Sequence, residues 1–460
     1  MLITSGCRVG PDFVPAAAPT PEEFQAVSLP PIESSSLNQW WVNFNDSGLE
    51  RLVEMAAEQN LDLQQAFYRV VEARARMGVV RGGFFPAFAS TADVARRKRS
   101  LSSRPFVAIN GSPFDFFSLG IDSVWEVDLF GKQRRFLEGS EAEFRRDVES
   151  HHDGQVTLYA DVASTYIQYR LIQSLRKIVQ ANLAIQQRTV RFAEGRMKAG
   201  QVSRLDLVEA RAQMQTTSAT LPQFDEQAQL ALNRLHVLLG QSPGPELANH
   251  LGEGKIPAPA STLAIGVPAD LIRRRPDIRR SEQELVEANA QIGAAIADFY
   301  PQLSLLGSIS VDSRHLSSLF QWNSTVFQLG PSVRWNVLQF GRIQSNVTAQ
   351  QARFQRLAVA YRSTVLRAVQ EVEDGLVSHQ SQSRRADALS LAAKSSAEAV
   401  KLSTERYNAG QVTIQRILDA QTRLLLTEQD LALSQATVAL NLIRVYKAAG
   451  GGWRTLDCIE

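Results

Sequence analysis

The sequence predicts an α+β membrane protein assembled from two tandem structural repeats. Three observations carry that prediction. Residues 196–210, RMKAGQVSRLDLVEA, return as residues 406–420, RYNAGQVTIQRILDA, at an offset of 210. Long stretches of helical composition flank both copies. Each half also holds a pair of segments in which apolar and polar residues alternate with the period of two that a half-buried strand requires. One turn motif would be weak support. Two at a fixed offset, inside a longer repeat, mark a duplicated architecture.

Bulk properties narrow the field. By length alone, 460 residues would suggest about three domains, a count that fails for a long repeat. The formal net charge of +2 gives no strong pull toward nucleic acid. No apolar run reaches the roughly 18 residues of a transmembrane helix. Cys7 and Cys458 sit at opposite ends, which argues against a disulfide framework or a cysteine-rich metal site.

The chain opens MLITSGC. Ser5-Gly6-Cys7 places small residues before a cysteine, as at the end of a bacterial lipoprotein signal. Only six residues precede Cys7, without a basic region or apolar core. The residues alone leave two readings open: a lipid-bearing cysteine behind a trimmed start, or an ordinary cysteine. Residues 9–36, rich in Pro and small side chains, are expected to run extended. Trp40-Trp41 then leads to Asp46-Ser47-Gly48, a turn before a helix. Residues 49–80 read as one helix, with Leu49, Leu52, Val53, Ala56 and Ala57 on one face.

After Phe85-Pro86 the period becomes two. Phe117, Leu119, Ile121, Trp125, Val127 and Leu129 are apolar, while Ser118, Gly120, Asp122, Glu126 and Asp128 are small or charged. Residues 87–95 alternate more weakly, and 96–115 form a basic loop. Residues 132–199 read as a helix of roughly 100 Å, with Gly139 and Gly154 as weak points. Gly200 tolerates positive φ and Ser203 suits an N-cap, so the chain turns there. Residues 204–239 return as helix, with a kink at Pro222. A Pro- and Gly-rich joint follows.

The second half replays the first. Val71-Glu72-Ala73-Arg74-Ala75 matches Val286-Glu287-Ala288-Asn289-Ala290, Phe85-Pro86 matches Tyr300-Pro301, and Phe130-Gly131-Lys132 matches Phe340-Gly341-Arg342. Leu303, Leu305, Ile309 and Val311 alternate with polar neighbours, as do Phe327, Leu329, Val333, Trp335 and Val337. The second long helix covers 342–408, and 413–448 return. The expected organisation is therefore an extended start (1–48), a first repeat (49–240) with its hairpin at 87–129, and a linker (241–268). A second repeat (269–450) with its hairpin at 302–338 and a tail (451–460) complete it.

Four strands of nine or more residues, each with an apolar face, suit a membrane. They cannot close a barrel alone, and open sheet edges cannot stand in lipid. Three chains would pool 12 strands, within the range of closed barrels. A soluble helical scaffold with β insertions explains the helices, but not two matched amphipathic hairpins.

Together these features resemble the outer-membrane efflux protein family, the TolC-like channels, and within it the lipoprotein branch typified by OprM and NodT. The resemblance rests on Cys7-Arg8-Val9-Gly10-Pro11-Asp12-Phe13, Trp40-Trp41 and Val267-Pro268-Ala269-Asp270-Leu271-Ile272-Arg273-Arg274-Arg275-Pro276-Asp277-Ile278-Arg279. The Phe-Gly strand ends, the two Ala-Gly-Gln-Val turns and Gly450-Gly451-Gly452-Trp453 add to it. It implies a homotrimer with a 12-stranded barrel in the outer membrane, continued by a periplasmic α-helical barrel. It also implies lipid on Cys7, a periplasmic membrane-fusion adaptor and an inner-membrane pump of the resistance-nodulation-division type as partners. Contact with outer-membrane lipid is expected, and no cofactor, metal or nucleic acid. The function implied is a passive exit duct for drugs or other small solutes, not an enzyme. A duct for protein or peptide export is the alternative.

The same resemblance places the adaptor-docking tip at Arg196, Gly200, Val202 and Ser203 and at Arg406, Gly410, Val412 and Thr413. It places the gate at Asp206, Tyr407, Arg416 and Asp419, with a Tyr407–Asp206 hydrogen bond between neighbouring helices holding the tip closed. Arg416 stands where some relatives carry an acid, which argues against a strong acidic filter. Capping and ordinary solvated charge would explain many of these residues equally well. Arg96-Arg97-Lys98-Arg99 lies in the first external loop, where it would suit lipopolysaccharide phosphates or simply be a solvated loop. His151-His152-Asp153 lacks further ligands at metal spacing.

Overall fold

The computed structural model describes residues 8–15, 37–98, 112–258 and 274–455. Cys7, Arg99, residues 267–273 and Cys458 lie outside the described residues. The chain divides into two compact units. One comprises Met1–Ala17, Arg69–Asp147 and Arg280–Tyr361; the other comprises Ala18–Tyr68, Val148–Arg279 and Arg362–Glu460. Each unit draws on both sequence repeats.

The first unit holds the sheet. Strands β1 (Ala87–Arg97), β2 (Phe114–Val127), β3 (Gln302–Ser313) and β4 (Thr325–Arg334) pair antiparallel in that order. The hairpins join through β2 and β3, where Leu119 faces Val311, Ile121 faces Ile309 and Trp125 faces Leu305. Alternation thus becomes two faces. One carries Phe88, Val94, Phe117, Leu119, Ile121, Ile309, Phe327 and Leu329; the other carries Asp93, Ser118, Asp122, Asp312 and Gln328. The alternation slips at two adjacent rungs of the central strands: Val124 faces Leu306 on the polar side, and Ser123 faces Gly307 on the apolar side.

Both hairpins close at the base in the same way. The Trp125 indole N–H donates to the Phe84 carbonyl at 3.0 Å, and the Trp335 indole N–H donates to the Phe299 carbonyl at 3.0 Å. Each acceptor lies two residues before a proline. The strands end at Val127 and Arg334, short of the expected 129 and 338. Beyond Gln302, the last partner of β4, stands Pro301, which has no N–H to extend the ladder.

The preceding segment of this unit is held by a fully buried guanidinium. Arg135 donates to the carbonyls of Val9 and Gly10 at 3.1 and 3.0 Å, to Asp12 at 3.1 Å and to Glu138 at 2.8 Å. A Cβ on Gly10 would lie 2.5 Å from Gly293 Cα, so the backbones touch there.

The second unit is helical. Helices α1 (Ser47–Gln59) and α2 (Leu61–Gly82) replace the single helix expected over 49–80, and α2 continues into the first unit. Asn60 makes the break: it is extended (ψ 127°), its Oδ1 caps Leu63 N–H at 2.8 Å, and its Nδ2 donates to the Leu238 carbonyl at 2.8 Å. Helix α3 (Lys132–Lys198) runs unbroken past Gly139 and Gly154. The expected weak points sit instead where a neighbour comes close: a Cβ would meet Ala290 Cβ at 3.7 Å and Leu63 Cδ1 at 3.8 Å respectively. Helices α4 (Arg204–Ser218) and α5 (Leu221–Leu238) replace the kinked helix, and Pro222 falls in the first turn of α5, where its missing N–H costs nothing. Helices α6 (Glu246–Leu251), α7 (Pro276–Ala297), α8 (Arg342–Asn408) and α9 (Ile414–Ala448) follow; α7 from Arg280 on and α8 up to Tyr361 belong to the first unit.

The core of this unit gathers around Trp40, which stacks on Tyr446 at 5.4 Å, with Trp41 edge-on to Tyr159 at 5.2 Å. A Cβ on Gly451 would lie 2.9 Å from the Leu37 carbonyl, and one on Gly452 3.1 Å from Trp40 Nε1, which explains the glycine run before Trp453. His152 stacks on Trp453 at 4.5 Å and shares a hydrogen bond with Glu149 at 3.2 Å; Arg279 pairs with the same carboxylate at 2.7 Å. Burial, reinforced by His152, pushes the His151 imidazole down to about 4, so it is neutral at pH 7.

Candidate functional site

The two duplicated turns are built alike. Gly200 (φ +73°) and Gly410 (φ +74°) follow α3 and α8. Gly200 N–H donates to the Met197 carbonyl at 3.0 Å and Gln201 N–H to that of Arg196 at 2.9 Å. Gly410 and Gln411 repeat these bonds to Tyr407 and Arg406 at 3.0 and 2.9 Å. A Cβ at either glycine would meet nothing within 4 Å, so the backbone angle alone demands glycine.

The side chains break the symmetry. Ser203 Oγ accepts from Asp206 N–H at 3.2 Å, and Asp206 accepts from Ser203 N–H at 2.9 Å, a reciprocal capping box. Thr413, its counterpart, makes no side-chain cap: the Arg416 N–H donates to the Thr413 carbonyl at 3.2 Å, and Arg416, standing where Asp206 stands in the first copy, has no oxygen to accept the return bond. Arg196 donates to the carbonyls of Tyr407 and Asn408 at 2.9 and 3.1 Å, closing the end of α8. Its guanidinium lies 5.0 Å from the Tyr407 ring and 5.3 Å from the Phe192 ring. Arg406 is exposed.

The expected Tyr407–Asp206 hydrogen bond is not made within the chain. The capping box engages one oxygen of the Asp206 carboxylate, and the buried Tyr407 hydroxyl has no hydrogen-bond partner among the described residues. Burial raises the Tyr407 phenol, Arg196 opposes that rise, and the Asp206 charge adds to it.

Beneath the turns lies a small core of Val190, Ala193, Leu207, Ala210, Tyr407, Ile414, Ile417 and Leu418, with Val412 packed against it; Val202 is half-buried. Arg416 and Asp419 are exposed on α9, and Asp419 accepts from Gln415 at 2.9 Å. Sequence reasoning missed the polar seam that continues from this core. Asn182 donates to Glu428 at 2.9 Å, Gln421 to Thr189 at 2.8 Å and Gln213 to Thr422 at 3.2 Å. Gln186 is buried with neither amide atom partnered among the described residues. Asn182, Gln186 and Thr189 share one face of α3 by their spacing of four and three, which was the available signal.

An open sheet with a strongly exposed apolar face, carried on long helices with duplicated turns, is the subunit of a membrane channel. The chain belongs to the outer membrane efflux protein family: the family model so described matches residues 52–241 and 267–451. Nodulation protein T of Rhizobium leguminosarum bv. trifolii is 30% identical over 433 residues, covering 94% of this chain and 91% of that protein. Outer membrane protein OprJ of Pseudomonas aeruginosa is 30% identical over 458 residues, covering 98% and 94%. The solved structure of the outer-membrane channel OprN superposes with a TM-score of 0.91 at 32% identity, covering 97% of this chain and 100% of that one. The protein is thus an outer-membrane efflux protein of a Gram-negative bacterium, in a family of channels rather than enzymes.

Proposed function

We propose that this chain is the outer-membrane exit duct of a tripartite efflux pump, passing drugs or other small solutes outward without chemistry of its own. Three copies pool their strands into a 12-stranded barrel, and their long helices form a periplasmic α-barrel. A periplasmic adaptor docks at the turns around Gly200 and Gly410, and an inner-membrane pump of the resistance-nodulation-division type supplies the energy. Arg406, exposed where Arg196 is engaged, is the cation offered to the adaptor. Release of the Arg196 clamp frees the end of α8, and Arg416 and Asp419 then line the widened tip. Lipid on Cys7 adds an anchor.

One observation carries this reading. The sheet leaves β1 and β4 with unpaired edges, and its apolar face is bare: Leu329 is 84% exposed, Phe327 77% and Phe88 71%. Such a surface is stable only in lipid, and in lipid an open edge must be closed. Light scattering of the detergent-extracted protein, with the detergent subtracted, tests it. Three chains per particle, soluble only in detergent, are expected. A detergent-independent monomer or dimer would remove the barrel and the duct with it.

A further inference from the structure

In sequence, Arg96-Arg97-Lys98-Arg99 is one basic patch. The pleat of β1 divides its described members. Arg96 falls on the apolar face, 3.7 Å from Asp115. Arg97 falls on the polar face, opposite Phe114 in register. There it is ion-paired with Asp93, and its guanidinium carbon lies 3.9 Å from the centroid of the Phe116 ring. Arg314, the first residue beyond β3, lies 4.9 Å over the ring of Phe114. Two guanidiniums therefore rest on two adjacent phenyl rings at the loop end of the polar face. A planar cation stacked on a ring is held in position in a way that a free lysine is not.

The next polar rung toward the helices carries the opposite sign. Asp93 faces Ser118, Ser118 faces Asp312, and Ser118 Oγ donates to Asp312 at 2.7 Å. Over these rungs of β1 to β3 the polar face thus passes from fixed cations to fixed carboxylates; Arg334 stands on the same face at the base of β4.

We propose that Arg97 and Arg314 form a cationic collar at the outer mouth of the duct, which turns external cations away and favours the exit of anionic solutes. The proposal rests on the trimeric duct described above, whose lumen the polar face would line with three copies of each arginine. Charges fixed on a narrow, low-dielectric wall focus their field into the opening, where potentials of one to several kT are ordinary. Asp93 partly offsets Arg97, so the low end of that range applies.

The test is the reversal potential of the reconstituted trimer in planar bilayers under a potassium chloride gradient. The double variant Arg97→Gln, Arg314→Gln should raise the potassium-over-chloride permeability ratio about threefold, the effect of about one kT. The change should shrink at 1 M salt, where the Debye length is only about 3 Å. Asp93→Asn, which leaves Arg97 uncompensated, should move the ratio the other way. An unchanged ratio in both variants, in a trimer that conducts, overturns the collar alone. A wild-type protein that does not assemble as a detergent-solubilised trimer overturns the duct, and the collar with it.

Discussion

Position 416 shows how one residue decides the character of a turn. In the first copy, Ser203 and Asp206 satisfy each other's backbone N–H groups; in the second, Arg416 cannot accept, and Thr413 is left without a side-chain cap. Arg416→Asp should rebuild the box. The gain expected is about 0.5–1 kcal/mol, the ordinary worth of an N-cap. Amide exchange over residues 413–417 should slow roughly two- to fivefold, since about 1.4 kcal/mol is a factor of ten. Exchange that is unchanged or faster would sink this account. The two turns also show what the sequence could tell. Ser-x-x-Asp at 203–206 is itself a capping signature, and it competes with the gate reading of Asp206. Which arginine becomes the clamp was less legible, because both copies carry one. The partner decides: Arg196 lies beside the ring of Tyr407, while the residue equivalent to Tyr407 in the first copy is Met197, which offers no ring.

Among the elements, the duplication persists in single hydrogen bonds between different residue types. Asn60 Nδ2 donates to the Leu238 carbonyl at 2.8 Å, and Arg275 Nη1 donates to the Ala448 carbonyl at 2.8 Å. The two acceptors are 210 residues apart, each near the end of a return helix, and each donor immediately precedes a helix start at Leu61 or Pro276. Asn60→Ala and Arg275→Leu should each leave a helix-end carbonyl unpaired, at a cost of about 1–3 kcal/mol. The thermal midpoint of the detergent-solubilised protein should fall for both, and not for Gln229→Ala, which removes only an exposed bond within α5. Midpoints equal to that control would show that water replaces both donors. Pro276, at the first position of its helix, is a start signal that the sequence carries. The start at Leu61 was hidden, because a break of one residue leaves the apolar spacing of α1 intact up to Ala56, and Asn is not a helix breaker by itself. The strands were easier to see, since a face committed to one environment writes its period into every second residue. Where the period slips, at Val124 and Leu306, it slips on the same rung of both strands, which only the register could reveal.

The two repeats are legible in the whole chain, but the folded units are not the repeats. The sheet is continuous only because β2 of the first repeat pairs with β3 of the second, from Phe117 opposite Ser313 to Val127 opposite Leu303. The helical core likewise takes Leu49, Leu52 and Tyr166 from one repeat and Leu442, Ile443 and Tyr446 from the other. No local pattern announces this, because β2 and β3 belong to different hairpins and their pairing is a long-range choice. A break in the joint between repeats should therefore leave two pieces that are each incomplete. Residues 1–258 alone would present the full length of β2 as a bare edge, and half of a core to solvent; residues 259–460 would do the same with β3. Expressed separately, each piece should aggregate or be degraded, because unpaired edges and uncovered apolar faces are the usual route to both. Expressed together, they should co-purify in detergent with the mass of the intact assembly, since the break leaves both strand edges and both halves of the core whole and free to pair. A piece that is monodisperse and helical on its own would show that a repeat is a self-sufficient folding unit, and the interleaving of the two would then be a consequence of folding rather than its condition.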